Sequence, residues 1–251
     1  VIEKLETLSG RFVLAINCKS GTWLFHDACG LRQVYYHKDN NGNIWCASQP
    51  EVIAEHFGFE YDAEALAFRN IPEYRKSTED FALINEKSPY KEIKYLLANH
   101  FLDLQTGIVN RYWPNPGCIG TLSVEESIEK VKPILQNSIK AAANRFNLKM
   151  GITAGCDSRK SLAASKEVRD KIYYFTLTPQ KSNEMDLSVP SKLLPMLGLE
   201  HHKIDIETMS SEFEEIYRCS ATWARDRHGH IAYTALKYFG DNATVLNSNI
   251  S

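Results

Sequence analysis

The hydrophobic pattern of this chain changes period at Trp113-Pro114-Asn115-Pro116-Gly117, and that break limits what the sequence can fold into. Prolines and a glycine this close together end any regular element. Before the break, short apolar runs are separated by turn residues. After it, apolar residues recur every three or four positions. The reading is therefore a β-rich domain over residues 1–116 followed by a domain over 117–251 that alternates strands and helices and can continue beyond the chain end.

In the first part, Arg11-Phe12-Val13-Leu14-Ala15-Ile16 reads as a strand, Ser20-Gly21 as a turn, and Thr22-Trp23-Leu24-Phe25-His26 as the returning strand. Gln33-Val34-Tyr35-Tyr36-His37 is a third. Asn40-Asn41-Gly42-Asn43 is a hairpin signal, with Ile44-Trp45-Cys46-Ala47-Ser48 returning from it. The expectation is four consecutive antiparallel strands, then short helices near 50–57 and 62–69 and a second hairpin over 101–112. Tyr35, Tyr36, Tyr173 and Tyr174 are expected in sheets, half of them buried.

In the second part, Val124, Ile128, Val131, Leu135, Ile139, Ala142 and Phe146 form one face of a long helix. Ser123 with Glu126 fits a capping box. Pro133 inside that pattern predicts a kink or break, because a helix-interior proline costs about 3 kcal/mol. Strands are expected at 149–153, 172–177, 202–206 and 243–247. Helices are expected from about 158, near 184–197, and near 208–225 and 229–239. Strands alternating with helices mean a parallel sheet covered on both faces.

The loop after the first of these strands carries the chemistry. Lys149-Met150-Gly151-Ile152 leads into Thr153-Ala154-Gly155-Cys156-Asp157-Ser158 and then a helix. Small residues let backbone N–H groups approach an anion, and the helix N-terminus adds roughly half a positive charge at the same spot. Ligands of open parallel sheets bind outside the carboxyl ends of the strands, where this loop lies. Thr153 and Ser158 have hydroxyls for phosphate oxygens. Asp157 would repel phosphate and suits a Mg²⁺ that bridges phosphates. Arg159 or Lys160 could add positive charge, or simply be solvated. The plain alternative is an ordinary β–loop–α turn capped by Asp157 or Ser158. The loop is not the GxxxxGK[ST] phosphate loop, and the chain has no GxGxxG.

Composition limits the functional class. The 251 residues are 43% hydrophobic and 24% charged with formal net charge −2, which is ordinary for a globular protein and gives no basic excess for nucleic acid. No apolar run reaches the ~18 residues of a membrane helix, so neither a nucleic-acid nor a membrane partner is expected. Six scattered cysteines without a CxxC pair read as reduced, mostly buried thiols in a cytoplasmic protein. The first residue is Val1, as expected of a fragment or of a chain that has lost its beginning.

Thr153-Ala154-Gly155-Cys156-Asp157-Ser158 resembles the SGGxDS pyrophosphate loop of N-type ATP pyrophosphatases, with Thr for Ser and Ala154 for the first Gly. Gly10-Arg11-Phe12-Val13-Leu14-Ala15-Ile16, His26-Asp27-Ala28-Cys29-Gly30-Leu31-Arg32-Gln33-Val34-Tyr35-Tyr36 and Cys46-Ala47-Ser48 are similar to the glutamine-amidotransferase half of asparagine synthetases. So is Asn99-His100-Phe101-Leu102-Asp103-Leu104-Gln105-Thr106-Gly107 with Arg111-Tyr112-Trp113. In order and spacing the resemblance to the asparagine synthetase family covers roughly residues 9–251. It implies an Ntn-hydrolase-like first domain and an ATP-pyrophosphatase second domain.

The resemblance further implies ATP and Mg²⁺ as cofactors, and as partners a carboxylate substrate with ammonia or an amine; it also allows a homodimer. It places Asp157 and Ser158 in the catalytic machinery, Asp157 on the metal, and Ile152, Thr153, Ala154, Gly155, Cys156, Asp157, Ser158, Leu177, Asn247 and Ser248 at the nucleotide. Phe175-Thr176-Leu177 matches the strand that walls adenine. Asn183-Glu184-Met185-Asp186 resembles the family's "DE" element, Leu197-Gly198-Leu199-Glu200-His201-His202 its "LGxeH" stretch, and Val245-Leu246-Asn247-Ser248-Asn249 its last nucleotide loop.

Two features depart from the family. The glutaminase nucleophile, a leading Cys, is absent from these residues, so either a preceding segment is missing or the domain never hydrolysed glutamine, as in β-lactam synthetases. Asn247-Ser248-Asn249 also lacks the family's acids, which either follow Ser251 or are lost. The expected activity is an ATP-dependent amide-forming ligase releasing AMP and pyrophosphate. The alternatives are a non-catalytic nucleotide-binding relative, a β-lactam-synthetase-like cyclase without glutaminase activity, and a thiolation enzyme, against which the first half argues.

Among the remaining residues, Cys156 could be nucleophilic only through its place near a helix N-terminus. His201 and His202 read as packing rather than metal ligands. Arg225-Asp226-Arg227-His228-Gly229-His230 is expected at a carboxyl-end loop near the nucleotide and reads as a solvated helix-starting loop or a substrate or phosphate contact, without a third ligand for zinc. Asp27 and Arg32 are expected to form an ion pair.

Overall fold

A computed structural model describes residues 2–5, 8–73, 83–114, 120–178, 184–221 and 223–248. The chain divides into two compact units, Val1–Thr121 and Leu122–Ser251. Asn115, Pro116 and Gly117, which carry the expected boundary, lie outside the described residues, as do Asn183, Asn249 and Ser251.

The first unit opens with a short helix α1 (Ile2–Leu5) and then builds two sheets. Strands β1 (Val13–Cys18) and β2 (Gly21–His26) pair antiparallel as expected. So do β3 (Tyr35–Lys38) and β4 (Ile44–Ala47). The four strands are not one meander, however. The first sheet runs β1-β2-β6-β7, with β6 (His100–Asp103) and β7 (Val109–Arg111) forming the second hairpin. The second runs β4-β3-β5, with β5 spanning Lys94–Tyr95.

The chain leaves the first sheet at Asp27, and that residue gives the physical reason. Its buried carboxylate accepts the backbone N–H of Leu31 at 2.9 Å and of Arg32 at 2.8 Å, while Gly30 N–H bonds its carbonyl at 2.8 Å. This wraps residues 27–32 into a compact turn instead of a hairpin. Gly30 is required there: its φ is +67°, and a Cβ would meet the Tyr95 hydroxyl at 2.9 Å. Asp27 thus binds the backbone of Arg32; the expected side-chain ion pair is replaced because the carboxylate lies buried and the Arg32 side chain is exposed.

Leu24 and Leu102 of the first sheet meet Val34, Tyr36 and Leu96 in one buried cluster. Tyr35 turns to the other face of its strand, against Ile53, Ala54, Tyr90 and Ile93. Period-two alternation therefore makes a stack of sheet, sheet and helix, the helix being α2 (Pro50–Phe57), followed by α3 (Ala63–Arg69).

The second unit begins with α4 (Val124–Arg145), whose capping box closes as read: Ser123 accepts Glu126 N–H at 3.1 Å and Glu126 accepts Ser123 N–H at 2.8 Å. Pro133 does not break this helix. It stands on the exposed face, where water can bond the carbonyl that lacks its N–H partner. Then come β8 (Asn147–Gly151), α5 (Cys156–Ala164), β9 (Tyr173–Thr178), α6 (Glu184–Met196), β10 (His202–Asp205), α7 (Ser211–Ser220), α8 (Asp226–Phe239) and β11 (Ala243–Leu246).

The sheet order is β10-β9-β8-β11, with every pair parallel. Leu148, Met150 and Tyr174 face Ile139 of α4, Leu162 of α5 and Leu194 of α6 in the main core. Tyr173 and Phe175 point the opposite way, against Phe239 of α8, at 5.5 and 5.0 Å between ring centroids. Helices therefore cover both faces, with α8 across the sheet from α5. Among the described residues no helix is long and apolar enough to cross a membrane.

Candidate functional site

In the second unit the chain runs outward from β8 through β9 to β10, then returns to the other side of β8 as β11. A crevice opens at such a reversal, outside the carboxyl ends of the strands. A cavity of about 280 Å³ lies there, at the small end of ligand-pocket sizes. The end of each parallel strand or the loop after it contributes: Ile152 and Thr153 after β8, Leu177 from β9, Ile206 after β10, Asn247 and Ser248 after β11. Its apolar wall is Ile152, Leu177, Leu187, Ile206 and Ile231, and its charged side chains are Asp186 and Arg227.

The loop between β8 and α5 is held by its own polar groups. Ser158, buried in the first turn of α5, accepts Thr153 N–H at 3.1 Å, and its hydroxyl lies 3.2 Å from the carbonyls of Thr153 and Gly155. Thr153 Oγ1 accepts Gly155 N–H at 3.2 Å, a local turn of the kind hydroxyl side chains make. Ala154 N–H donates to Asp186 at 3.1 Å. Gly155 is the N-cap and makes no side-chain cap, so the first-turn amides of α5 are left open to an anion.

Of the residues expected at the nucleotide, Ile152, Thr153, Ser158, Leu177, Asn247 and Ser248 line this cavity together. Ala154, Gly155, Cys156 and Asp157 form the turn beside it and do not line it. Asp157 is 55% exposed and pairs with Lys160 at 3.2 Å. Cys156 is exposed, with an Arg159 guanidinium nitrogen 3.6 Å from its sulfur. Ser248 donates to Ser161 of α5 at 3.0 Å, tying the β11 loop to the β8 loop.

Behind the cavity, Thr176 bonds the Ile152 carbonyl at 2.5 Å and His201 Nε2 at 2.8 Å, while His201 Nδ1 lies 3.2 Å from Ser191. Burial pushes the His201 imidazole below its ordinary pKa, with Lys203 and His202 adding to the effect. His202 stacks on Tyr173 at 4.0 Å. His201 is thus held on both ring nitrogens by hydroxyls, and His202 by ring stacking.

Sequence reading placed Asp186 in a stretch that resembles the family's "DE" element without giving it a role of its own, and left Arg227 inside a charged segment read as solvated or as a substrate or phosphate contact. Asp186 sits in the first turn of α6, and its loop contact spans more than thirty residues. The local signals were that resemblance and the acidic first turn of the helix, Glu184 and Asp186.

No protein-family model matches the sequence, and no curated protein matches it. Among solved structures, a glutamine-dependent NAD⁺ synthetase from Acinetobacter baumannii in complex with ADP aligns at TM-score 0.36 and 12% identity, over 66% of this chain and 32% of that one. An NH₃-dependent NAD synthetase from Campylobacter jejuni aligns at TM-score 0.32 and 20% identity, over 51% of this chain and 58% of its own. An NMN synthetase from Francisella tularensis aligns at TM-score 0.32 and 19% identity, over 51% and 56%. The chain thus spans between a third and three fifths of these proteins.

Proposed function

We propose that the second unit binds ATP at the end of its parallel sheet and adenylates a substrate carboxylate, as the resemblance to asparagine synthetases implies. The observation that carries this reading is the cavity at the strand reversal, where an open helix N-terminus and a small-residue loop meet an apolar wall that suits a purine. The carboxylate oxygen attacks the α-phosphorus and pyrophosphate leaves. Ammonia or an amine then attacks the acyl carbon and AMP leaves, forming the amide. The open first-turn amides of α5 and the positive end of that helix stabilise the departing pyrophosphate.

Among the described residues no three His, Cys, Asp or Glu side chains converge as a metal cage. The carboxylates of Asp186, in the cavity lining, and of Asp157, in the turn beside it, fit Mg²⁺, which binds through one or two carboxylates and otherwise through phosphate oxygens and water. Asp157, as the resemblance implies, and Asp186, which lines the cavity, would hold it. When bound, Mg²⁺ neutralises charge on the phosphates.

The stack of two sheets and a helix in the first unit supports an amidotransferase-like reading of that part. A nucleotide-binding role without ligation is the second reading. It is favoured by Asp157 lying outside the cavity lining and by the absence of acids at Asn247 and Ser248. Pyrophosphate release from ATP, measured over a panel of carboxylates with and without ammonia, tests between them. ATP binding with no pyrophosphate release selects the second reading, and no ATP binding at all removes both.

A further inference from the structure

We infer that Arg227 is the side chain that grips a phosphate of the nucleotide in this cavity, an inference that rests on the ATP-binding reading above. Arg227 stands in the first turn of α8 and lines the cavity. Among the described lining residues it is the one basic side chain, and Asp186 is the one acidic side chain. The open amides of α5 supply only about half a positive charge. A triphosphate carries several negative charges, so a formal cation in the cavity is what such a ligand lacks without Arg227.

The turn that carries Arg227 is fixed, yet Arg227 itself has no hydrogen-bond or ion-pair partner among the described residues. Its neighbours hold the turn. Asp226 pairs with Arg218 of α7. The Tyr217 hydroxyl donates to the Arg225 carbonyl at 2.8 Å, and Arg218 donates to the Ala224 carbonyl at 3.4 Å. His230 Nδ1 accepts Met209 N–H at 3.1 Å. The charged segment 225–230 thus divides in two: Asp226 and His230 are engaged in structure, and Arg227 is left facing the cavity.

The topology adds a direction. Helix α8 covers the sheet face opposite α5, so Arg227 reaches the cavity from the other side of the sheet from the open first-turn amides of α5. An oxyanion between them is held from two sides, and the planar guanidinium fork matches two phosphate oxygens at once.

The test is calorimetric titration of the full chain and its Arg227→Met and Arg227→Lys variants with ATP, AMP and adenosine. Arg227→Met is expected to weaken ATP binding by about tenfold to a hundredfold, the scale of a lost charged hydrogen bond, while adenosine affinity stays within about twofold. Arg227→Lys, which keeps the charge but not the fork, is expected to fall between. Melting temperature should change little, since the side chain makes no hydrogen bond or ion pair among the described residues. Equal losses for ATP and adenosine, or unchanged ATP affinity in Arg227→Met, overturn the inference and leave the ATP-binding reading standing. A wild-type chain that binds neither ATP nor adenosine overturns both.

Discussion

The carboxylate of Asp186 accepts the backbone N–H of Ala154 at 3.1 Å, joining the first turn of α6 to the loop that follows β8. An acceptor therefore sits on an amide of the loop proposed to receive phosphate. It orders the loop and at the same time puts a negative charge where the ligand is negative. Asp186→Asn keeps the amide acceptor and removes the charge. In EDTA, the variant is expected to bind ATP several-fold more tightly than wild type, because repulsion is relieved. With Mg²⁺ present, the advantage should shrink, because a cation held by Asp186 would offset the repulsion between its carboxylate and the phosphates. Titrations with and without Mg²⁺ check this; equal affinities for the two proteins in EDTA would remove Asp186 from contact with the nucleotide.

Asp157 separates the two functional readings. Its side chain is 55% exposed and its bond to Lys160 is a surface pair, which contributes at most about 1 kcal/mol. Asp157→Ala should therefore leave the denaturation midpoint almost unchanged. If the chain is a ligase, the same substitution should abolish pyrophosphate release, because the resemblance assigns Asp157 to the metal. Normal turnover in the variant would take Asp157 out of the mechanism.

The second unit was the more legible from sequence. Its helices follow apolar spacings of three and four, its strands are short apolar runs, and the loop at 153–158 stands out as small residues between a strand and a helix. The first unit was legible as strands but not as sheets. Whether β3 continues the first sheet depends on where the Asp27 carboxylate finds its donors, and these turned out to be the amides of Leu31 and Arg32. Pro133 predicted a break that did not occur, since propensity is a local term and solvent exposure of that face offsets it. In the site, residues contiguous in sequence were readable as a group. Asp186 and Arg227 lay in segments that the sequence singled out, but their convergence on one cavity was not legible, because each arrives from another helix and only the sheet order brings it there.

Gly229 sets how closely α8 approaches the segment before α7. A Cβ there would lie 2.2 Å from Met209 Sδ and 2.9 Å from Tyr217 Cε1. Replacing a helical glycine by alanine gains about 1 kcal/mol of propensity, whereas overpacking a filled site costs about 1–3 kcal/mol. Met209 is itself buried and has little room to move aside. The packing cost wins, and Gly229→Ala is expected to destabilise the protein by about 1 kcal/mol, read from urea denaturation. It should also weaken ATP binding, because the turn bearing Arg227 is displaced. A stabilised variant would show that Met209 yields freely.

Asp27 gives a prediction about pH. Burial alone would raise its pKa, but the N–H groups of Arg32 and Leu31, with help from Phe12 and the neighbouring His26, outweigh burial and hold it below the usual 3.8. A carboxyl with a depressed folded-state pKa binds its proton more weakly folded than unfolded. Its stabilising contribution is therefore complete above the unfolded value and is lost as pH falls through the folded one. Asp27→Asn replaces charged hydrogen bonds by neutral or unmade ones and should cost about 2 kcal/mol at neutral pH. The gap between the urea midpoints of wild type and variant should stay constant from pH 7 down to about 5 and narrow below about 4. A gap that stays constant down to pH 3 would mean that shape, rather than the charge of Asp27, holds the turn that carries the chain from the first sheet to the second.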